Sequence, residues 1–330
     1  MKALLTADVH LTSKPEDAYR FKSLETFCAL ARVEKPDAIF ILGDLTDKKD
    51  RHSAVLVNQT CRILQRLARV APVHILKGNH DYTDPDCPFF GFVNTFENVT
   101  FHTQAHHNLG EWLLLPHTRT PVEDWWMYDL TEPLVLMHQT VAGAVASNGQ
   151  KMEGELTSAR LGPRPRDSLW ISGDIHVPQK VGEILYVGAP HPVRFGDSYS
   201  PRFILFKSGR WRSIPHSTIR KLTEEVTGID DLSLIDFNPG DQLKLSVRLL
   251  PRELPQWNEI RADIIAFCEV SQILLSSAVP VVASVKNKRV QLRKQRTLNV
   301  RQTLTDELGR LEKIDQDIAL EQLEDLLGET

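Results

Sequence analysis

The sequence predicts an α/β fold, a layered sheet with helices on its faces, from three observations. Short apolar runs of buried-strand length recur up to about residue 210, helical spacing fills the gaps between the first of them, and five runs close on residues that bind metals. With 330 residues, 42% hydrophobic and 25% charged, the chain has an ordinary globular make-up. That length allows two domains, or one with an accessory module.

The runs are Ala3–Leu5, Ala38–Leu42, Val73–Leu76, Leu134–Met137, Leu169–Ile171 and Ile184–Val187. Asp17–Glu34 places Phe21, Leu24, Phe27, Cys28 and Ala31 at helical spacing, and Leu56, Ile63, Leu64 and Leu67 mark a second helix with Thr60 on the same face. Around residues 222–240 the pattern weakens into a loop ending Asn238-Pro239-Gly240-Asp241. Beyond it, Gln242–Leu250 alternates like a strand, Gln256–Cys268 is periodic like a helix, and Val279–Val285 is strongly β-prone, which predicts a small β-α-β accessory unit. Thr303–Leu327 carries a last helical stripe through Leu304, Leu308, Leu311, Ile314, Ile318, Leu323 and Leu327.

The net charge of −4 gives no global sign of nucleic-acid binding, but its distribution is uneven. Lys286 to Arg301 holds seven bases and no acid, whereas Thr303 to Thr330 holds nine acids against Arg310 and Lys313. The basic block suits a DNA path or a solvated linker, and the stripe suits docking in a partner's groove or packing on its own protein. Cys28, Cys61, Cys87 and Cys268 are scattered, so neither a disulfide framework nor a structural zinc site is expected, and a reducing cytosol is. The opening residues turn polar too soon for a signal peptide, and no apolar run approaches the ~20 residues of a membrane span.

The chemistry lies at the strand ends. The first run leads into Asp8-Val9-His10, the second into Gly43-Asp44, and the third into Gly78-Asn79-His80-Asp81. The fourth leads into His138 and the fifth into Gly173-Asp174-Ile175-His176. Carboxyl ends of strands in an open α/β sheet form the crevice where ligands sit, so these residues converge although far apart in sequence. In an extended chain, Asp8 and His10 point the same way. Two ions ~3.5–4 Å apart clamp a phosphate and lower the pKa of a bound water. Carboxylate, imidazole and an Asn carbonyl favour Mn²⁺, with Mg²⁺ or Fe as alternates and Zn²⁺ also accommodated.

Together these motifs resemble the signature of the calcineurin-like metallophosphoesterase superfamily over about residues 1–215. The resemblance implies a four-layer α/β/β/α sandwich and a two-metal hydrolase. It implies that Asp8, His10, Asp44 and His176 hold one ion, and that Asp44 (bridging), Asn79, His138 and Asp174 hold the other. His80 would face the scissile phosphate without ligating, oriented by Asp81. Asp174 stands where the family usually has His. As a ligand it would favour harder ions such as Mn²⁺ or Mg²⁺; turned away, it would leave that ion weakly held.

Downstream, Tyr186-Val187-Gly188-Ala189-Pro190-His191-Pro192-Val193-Arg194-Phe195-Gly196-Asp197 resembles a segment of SbcD-type nucleases, with Ala189 for the usual Ser. That likeness implies a metal-dependent DNA exonuclease or endonuclease serving recombination, repair or replication. It implies DNA and an SbcC-type SMC-like ATPase as partners, allows a homodimer, and implies a cytoplasmic location. Phage-encoded counterparts are similarly compact, so a host cytoplasm fits as well. Residues 1–220 would be the nuclease domain, 221–287 a capping and DNA-binding domain, and 288–330 a basic linker with a C-terminal helix for the ATPase. One alternative keeps the site and changes the substrate to a phosphoprotein or small phosphodiester. Another is a DNA-end-binding or ATPase-binding scaffold with a metal site degenerate at Asp174. His102, His106, His107 and His117 are expected at the surface or in loops, and Trp125-Trp126 as a hydrophobic lid or core corner rather than a base-stacking pair.

Overall fold

Alternation along the first strands decides the layers. The structure, a computed structural model, describes residues 1–154, 156–157, 160–161 and 164–282. In β1 (Lys2–Ala7), Leu4 packs on one face while Ala3, Leu5 and Ala7 pack on the other, and both faces are buried. After α1 (Ala18–Glu34), β2 (Ala38–Leu42) repeats the division, with Ile39 and Ile41 on one side and Phe40 and Leu42 on the other. Next come α2 (Ala54–Ala68), β3 (Val73–Leu76) and β4 (Val99–His102). The Ser53 side chain caps α2 by accepting from the Leu56 amide at 3.2 Å. Leu24, Phe27, Cys28 and Ala31 of α1 pack with Leu56, Ile63, Leu64 and Leu67 of α2 over the outer face of this sheet.

The chain then builds a second sheet. It contains β5 (His106–Asn108), β6 (Trp112–Leu115), the single turn α3 (Pro121–Asp124), β7 (Leu134–His138), β8 (Leu169–Gly173), β9 (Gln179–Val181) and β10 (Ile184–Tyr186). Two further strands, β11 (Arg202–Lys207) and β12 (Arg210–Pro215), return to the first sheet, whose order is β12-β11-β1-β2-β3-β4. The second sheet runs β5-β6-β7-β8-β10-β9. β1 to β4 are parallel, as are β6, β7, β8 and β10, so the carboxyl ends of the strands that matter share one edge. Leu5, Phe40, Leu42, Leu114, Leu136 and Ile171 fill the space between the sheets. The result is the expected α/β/β/α sandwich with a thin fourth layer. Among the described residues, the outer face of the second sheet is covered by α3 and irregular chain, with Trp125, Val141 and Leu156 packed on Val135, Met137 and Trp170.

A third, all-parallel sheet has the order β13-β14-β15 and comprises β13 (Lys221–Val226), β14 (Gln242–Leu249) and β15 (Leu274–Val282), with α4 (Trp257–Val270) between the last two. The sequence predicts a loop where β13 forms. As an edge strand β13 is half exposed, and Leu222 and Val226 are its only strongly apolar residues, so it lacks the continuous run that marks the others. Residues 1–282 fall within one compact unit. Lys221 ties the third sheet to the first part of the chain: its ammonium lies 3.3 Å from Asp17 Oδ1 and donates to the Val193 carbonyl at 3.4 Å. Arg20 donates to that same carbonyl at 3.2 Å and to the His10 carbonyl, so one guanidinium joins two loops of the site. The basic block and the terminal stripe lie outside the described residues. All four cysteines are free, and among the described residues no helix is long and apolar enough to cross a membrane.

Two sequence expectations change here. Trp125 is indeed a core residue, but its neighbour Trp126 is 77% exposed. His102 is neither a surface nor a loop histidine. It is buried on β4, with its Nε2 3.0 Å from His74 Nδ1 on β3. Burial pushes His74 down to about 4 and His102 to about 3, each helped by neighbouring imidazoles, from an ordinary 6.5. Both folded values lie below the free one, so the unfolded chain takes up protons first and this contribution to stability, full above pH 6.5, is lost as pH falls toward 4. Urea denaturation of His102→Leu should therefore show a fall between pH 6.5 and 4 that is shallower than wild type by ~1–3 kcal/mol; parallel pH profiles would contradict this.

Candidate metal centre

Each expected ligand sits at, or just past, the carboxyl end of a strand on the shared edge. Asp8 and His10 follow β1, Asp44 follows β2, Asn79 and His80 follow β3, His138 ends β7, and Asp174 and His176 follow β8. The reason Asp8 and His10 converge differs from the extended geometry expected. Both adopt left-handed backbone, with φ of 52° and 45°, and so do Asp44 at 53° and Asp174 at 82°. Non-glycine residues are uncommon there, each costing ~1–3 kcal/mol, and such strain clusters at functional sites. Short hydrogen-bonded turns hold it in place. The Asp8 amide donates to the Gly43 carbonyl at 3.2 Å, the His10 amide to Asp44 at 2.8 Å, and the Leu11 amide to Leu45 at 3.0 Å.

Asp44 is central. One carboxylate oxygen, Oδ2, lies 3.3 Å from His10 Nε2, and the other, Oδ1, lies 3.5 Å from His138 Nε2. Two donor triads have their atoms within 4.8 Å of one another, His10–Asp44–His80 and Asp8–Asp44–His138, and Asp44 is common to both. His176 Nε2 approaches His10 Nε2 to 3.1 Å, an approach of two imidazoles that a shared proton or cation relieves. Asp174 does not turn away. Its Oδ1 lies 3.7 Å from His138 Nε2, Thr140 donates to its other oxygen, and its amide donates to Asp8 Oδ1 at 2.9 Å.

Two glycines make room. A Cβ on Gly43, whose φ is +80°, would fall 2.0 Å from His138 Nδ1, and one on Gly78 would fall 2.3 Å from Asp44 Oδ1. His138 Nδ1 is 2.7 Å from the Leu42 carbonyl, which fixes that nitrogen as the donor and leaves Nε2 a lone pair facing Asp44 and Asp174.

Asp81 has a different task from the one expected. Its carboxylate accepts from the Asp44 amide at 2.8 Å, Leu45 at 2.9 Å and Gly78 at 2.7 Å, so it fixes the Asp44 turn and does not reach the His80 ring. His80 is oriented by the Asp47 carbonyl, 3.0 Å from Nδ1, and its amide donates to Asp44 Oδ1 at 2.8 Å. The sequence also gave no reason to place His117 here. It lines the cleft with its ring centroid 6.1 Å from that of His138, its Nδ1 3.0 Å from the Tyr82 hydroxyl. Asp197, beside His176 Nδ1 at 3.9 Å, accepts from the Val193 and Arg194 amides, both at 2.8 Å, and so sets the loop that walls the cleft.

The electrostatics fit a cation. Burial holds the Asp8 and Asp44 carboxyls well above the usual carboxylate range; His138 partly offsets this at Asp8, and Asp81 adds to it at Asp44. Burial pushes His10 well below its ordinary value and His176 down to about 4. Ligands must be deprotonated carboxylate and neutral imidazole, so divalent charge in their midst stabilises both at once. Asp8 Oδ2, Asn79 Oδ1 and His138 Nε2 are buried with no hydrogen-bond partner among the described residues, as is His10 Nδ1. The first three are oxygen and imidazole donors of the kind that bind Mn²⁺, Mg²⁺ or Fe.

The family model described as Calcineurin-like phosphoesterase matches residues 1–178. Among solved structures, the chain is similar to Yfce, a phosphoesterase from E. coli, at 14% identity and a TM-score of 0.34, over 63% of this chain and 88% of that one. Gly78→Ala should lower Mn²⁺ affinity ~10–100-fold in a calorimetric titration, because its Cβ displaces Asp44; wild-type affinity would contradict the close approach.

Proposed function

The chain belongs to the calcineurin-like phosphoesterase family of metal-dependent phosphoester hydrolases, and we propose that it is a two-metal phosphodiesterase acting on DNA. The observation that carries the two-metal reading is Asp44, whose two carboxylate oxygens face His10 on one side and His138 on the other. On this reading Asp8, His10, Asp44 and His176 hold one ion, and Asp44, Asn79, His138 and Asp174 the other, with Mn²⁺ the best match to a set richer in carboxylate than is usual. When bound, a pair of such ions orients a phosphate, lowers the pKa of water and stabilises a leaving oxygen.

The chain's own residues do the rest. Asp81 holds the Asp44 turn through three amides, so the carboxylate that faces both sides keeps its place. Asp47 binds His80 through Nδ1 and thereby directs Nε2 into the cleft. With Nδ1 spent on the Asp47 carbonyl, His80 presents Nε2 as the group that would hand a proton to the leaving oxygen. Arg194, on the loop set by Asp197, lines the same cleft of about 490 Å³ and supplies a fixed positive charge for a phosphate.

DNA as substrate is favoured by the segment from Gly188 to Asp197, which resembles SbcD-type nucleases and whose last four residues, Arg194 to Asp197, wall the cleft. An SMC-like ATPase is proposed as partner on that likeness, and the basic block and terminal stripe are its proposed contacts. The reading as a scaffold with a degenerate site is weaker, because Asp174 keeps its carboxylate among the ligands. His80→Asn should lower turnover on DNA ~10²–10⁴-fold while Mn²⁺ content stays at the wild-type level; unchanged turnover would remove His80 from the chemistry.

A further inference from the structure

A second cavity, of about 500 Å³, lies beside the metal cleft, and His117 lines both. We infer that this second cavity is a nucleotide subsite, taking the phosphate and base next to the phosphate being hydrolysed. The inference rests on the nucleic-acid reading above and specifies where the strand runs once it leaves the metals.

Lys77 is the first reason. It immediately precedes Gly78, it is only 6% exposed, and it lines the cavity. Its ammonium donates to the Pro85 carbonyl at 3.1 Å and lies 4.8 Å above the Tyr82 ring. Among the described residues, no carboxylate comes within ion-pair distance of it. Asp86 and Asp124 act on this ammonium only from beyond ion-pair distance, so it keeps a single hydrogen bond, and a phosphate supplies a close counter-charge and the missing acceptors.

The cavity's other walls suit the remainder of a nucleotide. Arg119 lies at the rim against the Tyr82 hydroxyl, an exposed second cation able to grip a phosphate with two parallel hydrogen bonds. Tyr128, half-buried beside the core residue Trp125, gives the aromatic edge against which a base of any identity packs. Asp86 and Asp124 also line the cavity. Both are exposed and screened by water, and Asp124 already accepts from the Thr118 and Thr120 hydroxyls, whereas the Lys77 charge is buried and screened far less.

Position ties the two cavities together. The Tyr82 hydroxyl meets His117 Nδ1 at 3.0 Å, and the His117 amide donates to the Lys77 carbonyl at 2.8 Å, so this wall is fixed to the strand end that also carries Asn79 and His80. A strand whose scissile phosphate sits by Asn79 and His80 in the metal cleft reaches the second cavity along the side that His117 shares between the two.

The test compares two substrates in the Mn²⁺-loaded chain: a single-stranded oligonucleotide and bis(p-nitrophenyl) phosphate, which has one phosphate and no neighbour. In Arg119→Ala the ratio of kcat/KM on the oligonucleotide to kcat/KM on the small diester should fall at least ~10-fold, mostly through KM, and Arg119→Lys should recover part of it. Lys77→Gln should lower the ratio in the same direction. An unchanged ratio in Arg119→Ala, with the wild type cleaving both substrates, overturns the subsite alone. A wild type that cleaves the diester and no oligonucleotide overturns the nucleic-acid reading, and the subsite with it.

Discussion

The structure depends on one electrostatic constraint: carboxylates and imidazoles are packed together, most of them buried, where two sheets meet. Asp8 and Asp44 are buried almost completely, and Asp81 lies directly behind them. Left to themselves these groups resist ionising, as the raised carboxyls and lowered imidazoles record. Divalent cations reverse that preference, which makes the site's own burial the source of its affinity. The sandwich exists at this edge to hold the charges in register: parallel β1, β2 and β3 bring three ligand loops side by side, and β7 and β8 bring two more across the interface.

Holding them costs backbone strain. Asp8, His10, Asp44 and Asp174 all sit at positive φ, a conformation that only surrounding structure can maintain. The surroundings do this with amides rather than with side-chain bulk. Asp81 gathers three amides around the Asp44 turn, and Arg20 joins the His10 and Val193 carbonyls. Lys221, at the start of the third sheet, meets the same Val193 carbonyl, so the loop bearing Arg194 and Asp197 is braced from both sides.

Much of this was legible in the sequence, for a physical reason. Buried parallel strands need continuous apolar runs, and ligands need strand ends, so Leu42 followed by Gly43-Asp44, or Met137 by His138, announces both at once. What was illegible depends on contacts between distant residues. Nothing local to Asp81 shows that its carboxylate is spent on amides near residue 44, or that the Asp47 carbonyl orients His80 in its place. His117 sits in a stretch rich in histidine, and only the fold separates it from His102, which is buried beside His74, and from the exposed His106. The convergence of Asp8 and His10 is legible, but its cause is not: alternation along a strand is visible in sequence, and left-handed backbone at residues 8 and 10 is not. The β13 strand escaped notice because an exposed edge strand needs few apolar residues.

The claim on which all else rests is that Asp44 belongs to two metal sites at once. Counting the Mn²⁺ bound by the chelator-stripped chain, in wild type and in Asp44→Ala, tests it directly. The account predicts two ions per chain for wild type and loss of tight binding at both sites in the variant. A single ion in wild type, or a variant that still binds one ion as tightly as before, would contradict it.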